Sequence, residues 1–310
     1  MKKSAAGPVG DTLHQGAVRV GLVALRGLAR LPYPMIRVAG IAAGAITWWL
    51  AAPRRRITLI NLRLCFPQWS EAQRVATGKA HFRYFVRSFF ERFIFWFGAQ
   101  ARIRALVQLQ GLEIYEQWRG KPVILLAPHF CGIDAGGIRF QLESTFASMY
   151  ANQKSVLLTE MMTAGRSRFN GARMFVRNEG LRPAIKAIRE GVPFYFLPDM
   201  DLGPRDALFV PFFGVPAATV TSVARLARLT GAVVIPLVTR MTDAGYLATF
   251  YPAWENFPGD DIEAATRRMN EFIEQRVAEM PAQYLWSHKR FKTRPPGQPS
   301  VYTKLGRPTA

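Results

Sequence analysis

Apolar positions form long mixed runs in the first third of the chain and short continuous runs after it. From Gly16 to Leu31 the run is broken by Arg19, Arg26 and Arg30, spacings of seven and four that put all three on one helix face. Pro32 and Pro34 interrupt this interfacial pattern. Met35 to Ala52 is then apolar apart from Arg37, with Trp48 and Trp49 near its end and Arg54, Arg55 and Arg56 just after. A membrane span needs about 20 apolar residues, a length that Pro32 to Ala52 reaches if Arg37 snorkels. The arginine triplet would hold the following chain on the cytoplasmic side. The pattern predicts one N-terminal membrane-embedded helix, with a helix lying in the membrane plane as its nearest alternative. A signal peptide fits less well, because the apolar core starts late and basic residues follow it. Residues 1–15 read as a flexible tail and 16–56 as a membrane-associated helical segment.

Ile57 to Pro67 leads into a predicted helix from Ser70, where Ser70 and Gln73 make a capping box. Along it Arg83, Arg87 and Glu91 recur every four residues, while Phe82, Phe85, Phe89, Phe93 and Trp96 occupy other faces. So many aromatic side chains serve a core or a lipid contact, and the pattern leaves both open. Beyond Val107 the runs shorten. Val123–Ala127 between two prolines, Thr145–Tyr150, the MFVR stretch before Arg177, Pro193–Leu197 and Val233–Val238 read as strands. Helices are predicted over Leu181–Glu190, closed by Gly191, over Thr219–Leu229, followed by Gly231, and from a cap at Asp260 or Asp261 to about Glu279. Strands alternating with helices give an α/β domain over 57–294, a mixed sheet flanked by helices, with 295–310 as a second flexible tail.

Charge narrows the partners. With 41 Lys and Arg against 21 Asp and Glu the formal charge is +20, so anionic partners are expected. No zinc spacing, RNP-like aromatic signature or basic heptad region is present, and the arginines fall among apolar runs. A membrane surface therefore fits better than nucleic acid. The two cysteines, Cys65 and Cys131, make neither a disulfide framework nor a metal spacing, and Cys131 reads as a small buried residue in a turn.

The chemistry gathers around VILLAPHFCGID. His129 follows the strand Val123–Ala127, and Asp134 stands five positions later, where a helix N-cap is expected. A neutral imidazole can take a proton from a hydroxyl while a carboxylate fixes its tautomer, which makes His129 the candidate base and Asp134 its partner. Ligands of α/β sheets sit outside the carboxyl ends of the strands. That rule brings Asp199 and Asp201, after the strand Pro193–Leu197, to the same rim. Arg166, Arg168 and Arg177, with Arg205 in PDMDLGPR, are candidates for holding phosphate in a planar guanidinium fork. FVPFFG (Phe209–Gly214) reads as acyl-chain wall or core. No histidine neighbours the Asp199/Asp201 pair, so no metal site is predicted. No serine sits in a G-x-S-x-G elbow, which argues against a serine hydrolase.

These motifs resemble one family. APHFCGID resembles the H-x4-D/E block of the glycerolipid-type acyltransferase superfamily. More narrowly, the arginine triplet, NLRLCFP, HFCGID, GRSRFNGARMFVR, PDMDLGPRDALFVPFFGVPAAT and HKRFKTRPPG resemble the lipid A late acyltransferases. GARMFVR departs from the superfamily's Gly-x-x-Phe-x-x-Arg block, with Met174 in place and Phe175 one position on. The resemblance implies an enzyme of the bacterial inner membrane with its active site facing the cytoplasm. It implies acyl-acyl carrier protein as donor, a hydroxyacyl chain of a Kdo-bearing lipid A precursor as acceptor, and no cofactor. In that scheme His129 deprotonates the acceptor hydroxyl, Asp134 orients His129, and the alkoxide attacks a thioester. A thiol with a reference pKa near 8.5 leaves with little assistance, so no acyl-enzyme is needed. Backbone N–H groups of the Gly132 turn or an arginine would stabilise the oxyanion.

Overall fold

In the computed structural model, residue 27 and residues 29–151 and 156–302 are described. The expectations for residues 1–15 and 16–26 lie outside the described residues. Among the described residues nine strands and ten helices follow in chain order: α1 (Tyr33–Leu50), α2 (Ala52–Cys65), α3 (Glu71–Phe97), α4 (Gln100–Leu106), β1 (Val107–Gln110), α5 (Leu112–Glu116), β2 (Val123–Leu126), α6 (Ile133–Gln141), β3 (Ala147–Tyr150), α7 (Val156–Arg166), β4 (Arg173–Val176), α8 (Arg182–Arg189), β5 (Phe194–Phe196), β6 (Ala207–Phe212), β7 (Val215–Val220), α9 (Ser222–Thr230), β8 (Val233–Met241), β9 (Tyr246–Phe250) and α10 (Ile262–Glu279).

Seven strands form one sheet in the order β1-β9-β8-β2-β5-β3-β4, parallel throughout except for the antiparallel pair β8–β9. The alternation of side chains along β2 explains why the sheet is covered on both faces. Ile124 and Leu126 join a core with Ile188 of α8, Leu226 of α9 and Met269 and Ile273 of α10. Val123 and Leu125 point the other way, into a core with Ile138 and Phe140 of α6 and Phe95 and Trp96 of α3. The central strands therefore read as continuous apolar runs rather than alternating ones.

The N-terminal helices depart from a simple span. Helix α1 ends at Leu50 and α2 leaves at 91° to it, and no single helix among the described residues is long and apolar enough to cross a membrane, although the bent pair together passes on length and composition. Helix α1 lies against α3. Gly40 and Gly44 make this possible: a Cβ at Gly40 would stand 2.7 Å from the Arg87 Cα, and one at Gly44 would stand 2.6 Å from the Arg83 Cα. Polar groups then tie the helix to the sheet. Arg87 donates from Nε to Glu91 Oε1 at 2.7 Å, and from Nη2 to the Tyr33 hydroxyl at 2.6 Å and the Thr242 carbonyl at 2.8 Å. The Tyr246 hydroxyl donates to the other Glu91 oxygen, and Arg37 pairs with Asp243. Arg37 is thus turned toward the β8–β9 connection and has no need to snorkel. The opposite face of α1 stays open: Met35, Val38, Ile46, Trp49 and Leu50 are exposed apolar residues.

Three local expectations change. Thr219 belongs to strand β7, and FVPFFGVPAAT folds as the β6–β7 hairpin, reversed at Phe213 and Gly214, both with positive φ. Phe212 is core, packed with Tyr284 and Phe291. Residues 295–302, expected as tail, carry Val301 and Tyr302 against the core, and the Tyr302 hydroxyl accepts from the Phe291 N–H and donates to Asn61. Residues 303–310 lie outside the description. The Ser70–Gln73 capping box forms as read, and Asp261 caps α10 by accepting from the N–H groups of Glu263 and Ala264.

Candidate active site

Strands β2 and β5 are parallel neighbours in a register that pairs Ile124 with Phe194 and Leu126 with Phe196. Each strand runs on into a residue, a proline and then a polar side chain: Ala127-Pro128-His129 after one and Leu197-Pro198-Asp199 after the other. The shared offset carries His129 to Asp199. The Asp199 carboxylate is held in two bonds, accepting from the His129 backbone N–H at 2.9 Å and meeting His129 Nδ1 at 2.6 Å. An ionised carboxylate only accepts, so Nδ1 carries the hydrogen and Nε2 keeps its lone pair. Burial works against charge on Asp199, yet His129 outweighs it and holds the carboxyl below its ordinary range.

The expected partner of His129 is elsewhere. Helix α6 starts at Ile133 with Gly132 as its cap, so Asp134 lies inside the first turn and caps nothing. One of its oxygens accepts from Arg166 Nε at 3.0 Å and Nη2 at 2.7 Å; the other stands 2.7 Å from Arg92 Nε. Burial alone would raise the Asp134 pKa, but the two guanidinium groups reverse this and hold it at about 2. Two arginines around one carboxylate leave a net positive charge. The carboxylate against the imidazole, expected to be that of Asp134, is that of Asp199.

His129, Asp134, Arg92, Arg166, Arg177 and Arg205 all line one cavity of about 610 Å³, which Phe85 and Phe89 of α3 wall on one side. Arg177 and Arg205 are exposed at it, and among the described residues neither makes an ion pair or side-chain hydrogen bond. Two expected residues do not reach it. Arg168 donates to the Phe95 carbonyl at 3.1 Å and lies over the Phe169 ring. Asp201 is buried and accepts from the Thr293 N–H at 2.6 Å, the Thr293 hydroxyl at 2.8 Å and the Gly203 N–H at 3.0 Å. It pins the HKRFKT segment rather than meeting a ligand. In that segment His288 accepts from the Asp201 N–H through Nε2 at 3.2 Å, and burial, with the nearby His129 and Arg290, pushes its pKa down to about 4. Cys131 is buried and its pKa is pushed up to about 12, which denies it a nucleophile's part.

Sequence reasoning missed Arg92 and the His129–Asp199 pairing. The pairing had a signal, the two strands that both end in proline followed by a polar residue. Arg92 had none, since it sits among aromatic positions of a long helix and meets Asp134 only once α3 packs beside α6.

The family model described as bacterial lipid A biosynthesis acyltransferase matches residues 11–293. Over 290 residues the chain is 33% identical to the lipid A biosynthesis lauroyltransferase of Escherichia coli K12, covering 91% of this chain and 94% of the relative. It is 34% identical to the palmitoleoyltransferase of the same organism, over 88% and 90% of the two chains. The myristoyltransferase of that organism is 33% identical, over 92% and 90%.

Proposed function

We propose, for a chain that belongs to the bacterial lipid A biosynthesis acyltransferase family and is an acyltransferase of that pathway, a one-step transfer from acyl-acyl carrier protein to a hydroxyl of a lipid A precursor. His129 Nε2 takes the proton of the acceptor hydroxyl, and Asp199 holds the ring and stabilises the imidazolium. The oxygen then attacks the thioester carbonyl. The oxyanion that forms meets the guanidinium of Arg166, with Arg92 adding charge and Asp134 anchoring both. On collapse the C–S bond breaks and the thiolate leaves with the proton His129 had taken. No covalent acyl-enzyme is required.

The observation that carries this reading is the 2.6 Å contact of His129 Nδ1 with Asp199 at the edge of a cavity lined by arginine and phenylalanine. Arg177 and Arg205, exposed at that cavity, suit the phosphates of a carrier arm or a lipid headgroup. The open apolar face of α1 suits burial in the plane of the bacterial inner membrane, on the cytoplasmic side, where the acceptor lies. Family membership leaves the chain length open, because relatives of near-equal identity are named for lauroyl, palmitoleoyl and myristoyl transfer.

The test is mass spectrometry of a Kdo-bearing lipid A precursor incubated with the purified protein and acyl carrier protein charged with several chain lengths. One added acyl mass, absent with His129→Ala, is the expected result. An added mass on a supplied glycerophospholipid in place of the lipid A precursor would overturn the acceptor, and full transfer by His129→Ala would overturn the base.

A further inference from the structure

Two sequence motifs, NLRLCFP from Asn61 and HKRFKTRPPG from His288, meet inside the fold, and neither lines the active-site cavity. Asn61 of α2 is wholly buried. Its Nδ2 donates to the Trp286 carbonyl at 2.8 Å and to the His288 carbonyl at 2.7 Å, and its Oδ1 accepts from the Tyr302 hydroxyl. Arg54, seven residues earlier on the same helix face, donates to the Ser287 carbonyl at 3.0 Å. Helix α2 thus holds the carbonyls of three successive residues of one turn.

The other side of that turn is spent on the segments that carry His129 and Asp199. The Leu285 N–H donates to the His129 carbonyl at 3.0 Å and the Cys131 N–H to the Gln283 carbonyl at 2.8 Å, an antiparallel bridge centred on Phe130 and Tyr284. The Tyr284 hydroxyl is a partner of Asp199. His288 Nε2 accepts from the Asp201 N–H at 3.2 Å, two residues beyond Asp199. Within the turn the His288 N–H donates to the Leu285 carbonyl at 3.2 Å, which ties 285–288 into one piece. A buried amide side chain is costly unless its polar atoms are matched. Those of Asn61 are matched to the one turn that backs both members of the His129–Asp199 pair.

We infer that Asn61, supported by Arg54, is a positioning residue for acyl transfer: by fixing the turn 285–288 it sets where His129 Nε2 stands against the incoming hydroxyl. The inference rests on the proposed reaction, with His129 as base, and deepens it. Without the Asn61 amide the carbonyls of Trp286 and His288 lose their donors, the turn loosens, and the His129 backbone follows Leu285. A displacement of about 1 Å at a reacting group costs about a hundredfold in rate. Substrate affinity should hold, because Phe85, Phe89, Arg177 and Arg205 line the cavity from other elements.

Asn61→Ala, Arg54→Ala and Arg63→Ala are compared with the parent protein. Arg63 is exposed on the same helix and pairs with Glu71, so its loss reports on α2 in general. Each protein is checked for its fold by circular dichroism and for kcat and KM of transfer to a lipid A precursor. Proton NMR follows the downfield resonance of the His129 Nδ1–H bonded to Asp199, identified by its absence in His129→Ala. A folded Asn61→Ala protein should lose about tenfold to a hundredfold in kcat, keep KM within about twofold, and show that resonance moved or broadened. Arg54→Ala should do the same in smaller measure, and Arg63→Ala should do neither. Parent-like kcat or an unmoved resonance in Asn61→Ala would overturn the inference and leave the reaction standing, as would an equal fall in Arg63→Ala or a parent without the resonance. If Asn61→Ala does not fold, Arg54→Ala decides, since an exposed arginine with one such bond can be removed from a folded protein; parent-like kcat and resonance there would overturn the inference. Absence of transfer by the parent, or full transfer by His129→Ala, would instead overturn the reaction on which it rests.

Discussion

Exchanging Asp199 for asparagine separates the two carboxylates that compete for the role of orienting His129. The Asp199 carboxylate is buried and each of its oxygens meets His129, one at 2.9 Å from the backbone N–H and the other at 2.6 Å from Nδ1, with the Tyr284 hydroxyl as a further partner. Asparagine keeps the shape but offers one oxygen and one NH2 group, so the His129 ring must either face that NH2 group donor to donor or turn to its other tautomer. The cost to folding is about 1 to 3 kcal/mol, the usual price of an unmatched buried polar group. The cost to catalysis is larger. With Nδ1 no longer held as a donor to a charge, the ring loses both its tautomer and the support for its protonated form, which is worth on the order of a thousand- to ten-thousandfold in kcat. That is about 4 to 5 kcal/mol at 1.36 kcal/mol per tenfold. Steady-state transfer with saturating donor and acceptor gives kcat, and circular dichroism with thermal unfolding shows whether the fold is kept. A folded Asp199→Asn protein with kcat within tenfold of the parent would refute the assignment. Asp134→Asn serves as the contrast: it frees Arg166 and Arg92 and should lower kcat by about tenfold to a thousandfold through the oxyanion.

Other outcomes follow from the same contacts. His81, wholly buried, and His288 both have pKa values pushed from 6.5 down to about 4, in each case chiefly by burial. The unfolded chain binds their protons first, so stability is full above pH 6.5 and falls as pH drops toward 4, by roughly 3 kcal/mol for each; unfolding in urea at stepped pH should show the loss, and a flat stability between pH 7 and 4.5 would contradict it. Glu91→Ala leaves Arg87 buried and unpaired and should destabilise the protein by about 3 to 5 kcal/mol, read from denaturant midpoints. Serine at Ile46, Trp49 and Leu50 together should cut binding to anionic liposomes in flotation assays while transfer to detergent-dispersed acceptor continues.

Much of the fold was legible in local pattern. The continuous aliphatic run of β2 between prolines, the capping box at Ser70, the Asp261 cap and the glycines closing α8 and α9 are all statements about neighbours in sequence, and each element formed within a few residues of its reading. The hairpin β6–β7 was hidden because its prolines and phenylalanines lack a period-2 pattern. For the site, sequence determined that His129 stands at a strand's carboxyl end and that arginines lie in the segments around it, because strand ends and residue chemistry are local. Which carboxylate turns to His129 was decided by the register of β2 against β5, a property of two segments 70 residues apart. That Asp134 belongs to Arg92 and Arg166, that Arg37 faces Asp243, and that α1 lies on α3 through Gly40 and Gly44 are likewise matters of tertiary packing. A chain specifies locally which groups are available; only the packing of distant elements fixes the few ångströms that choose among them.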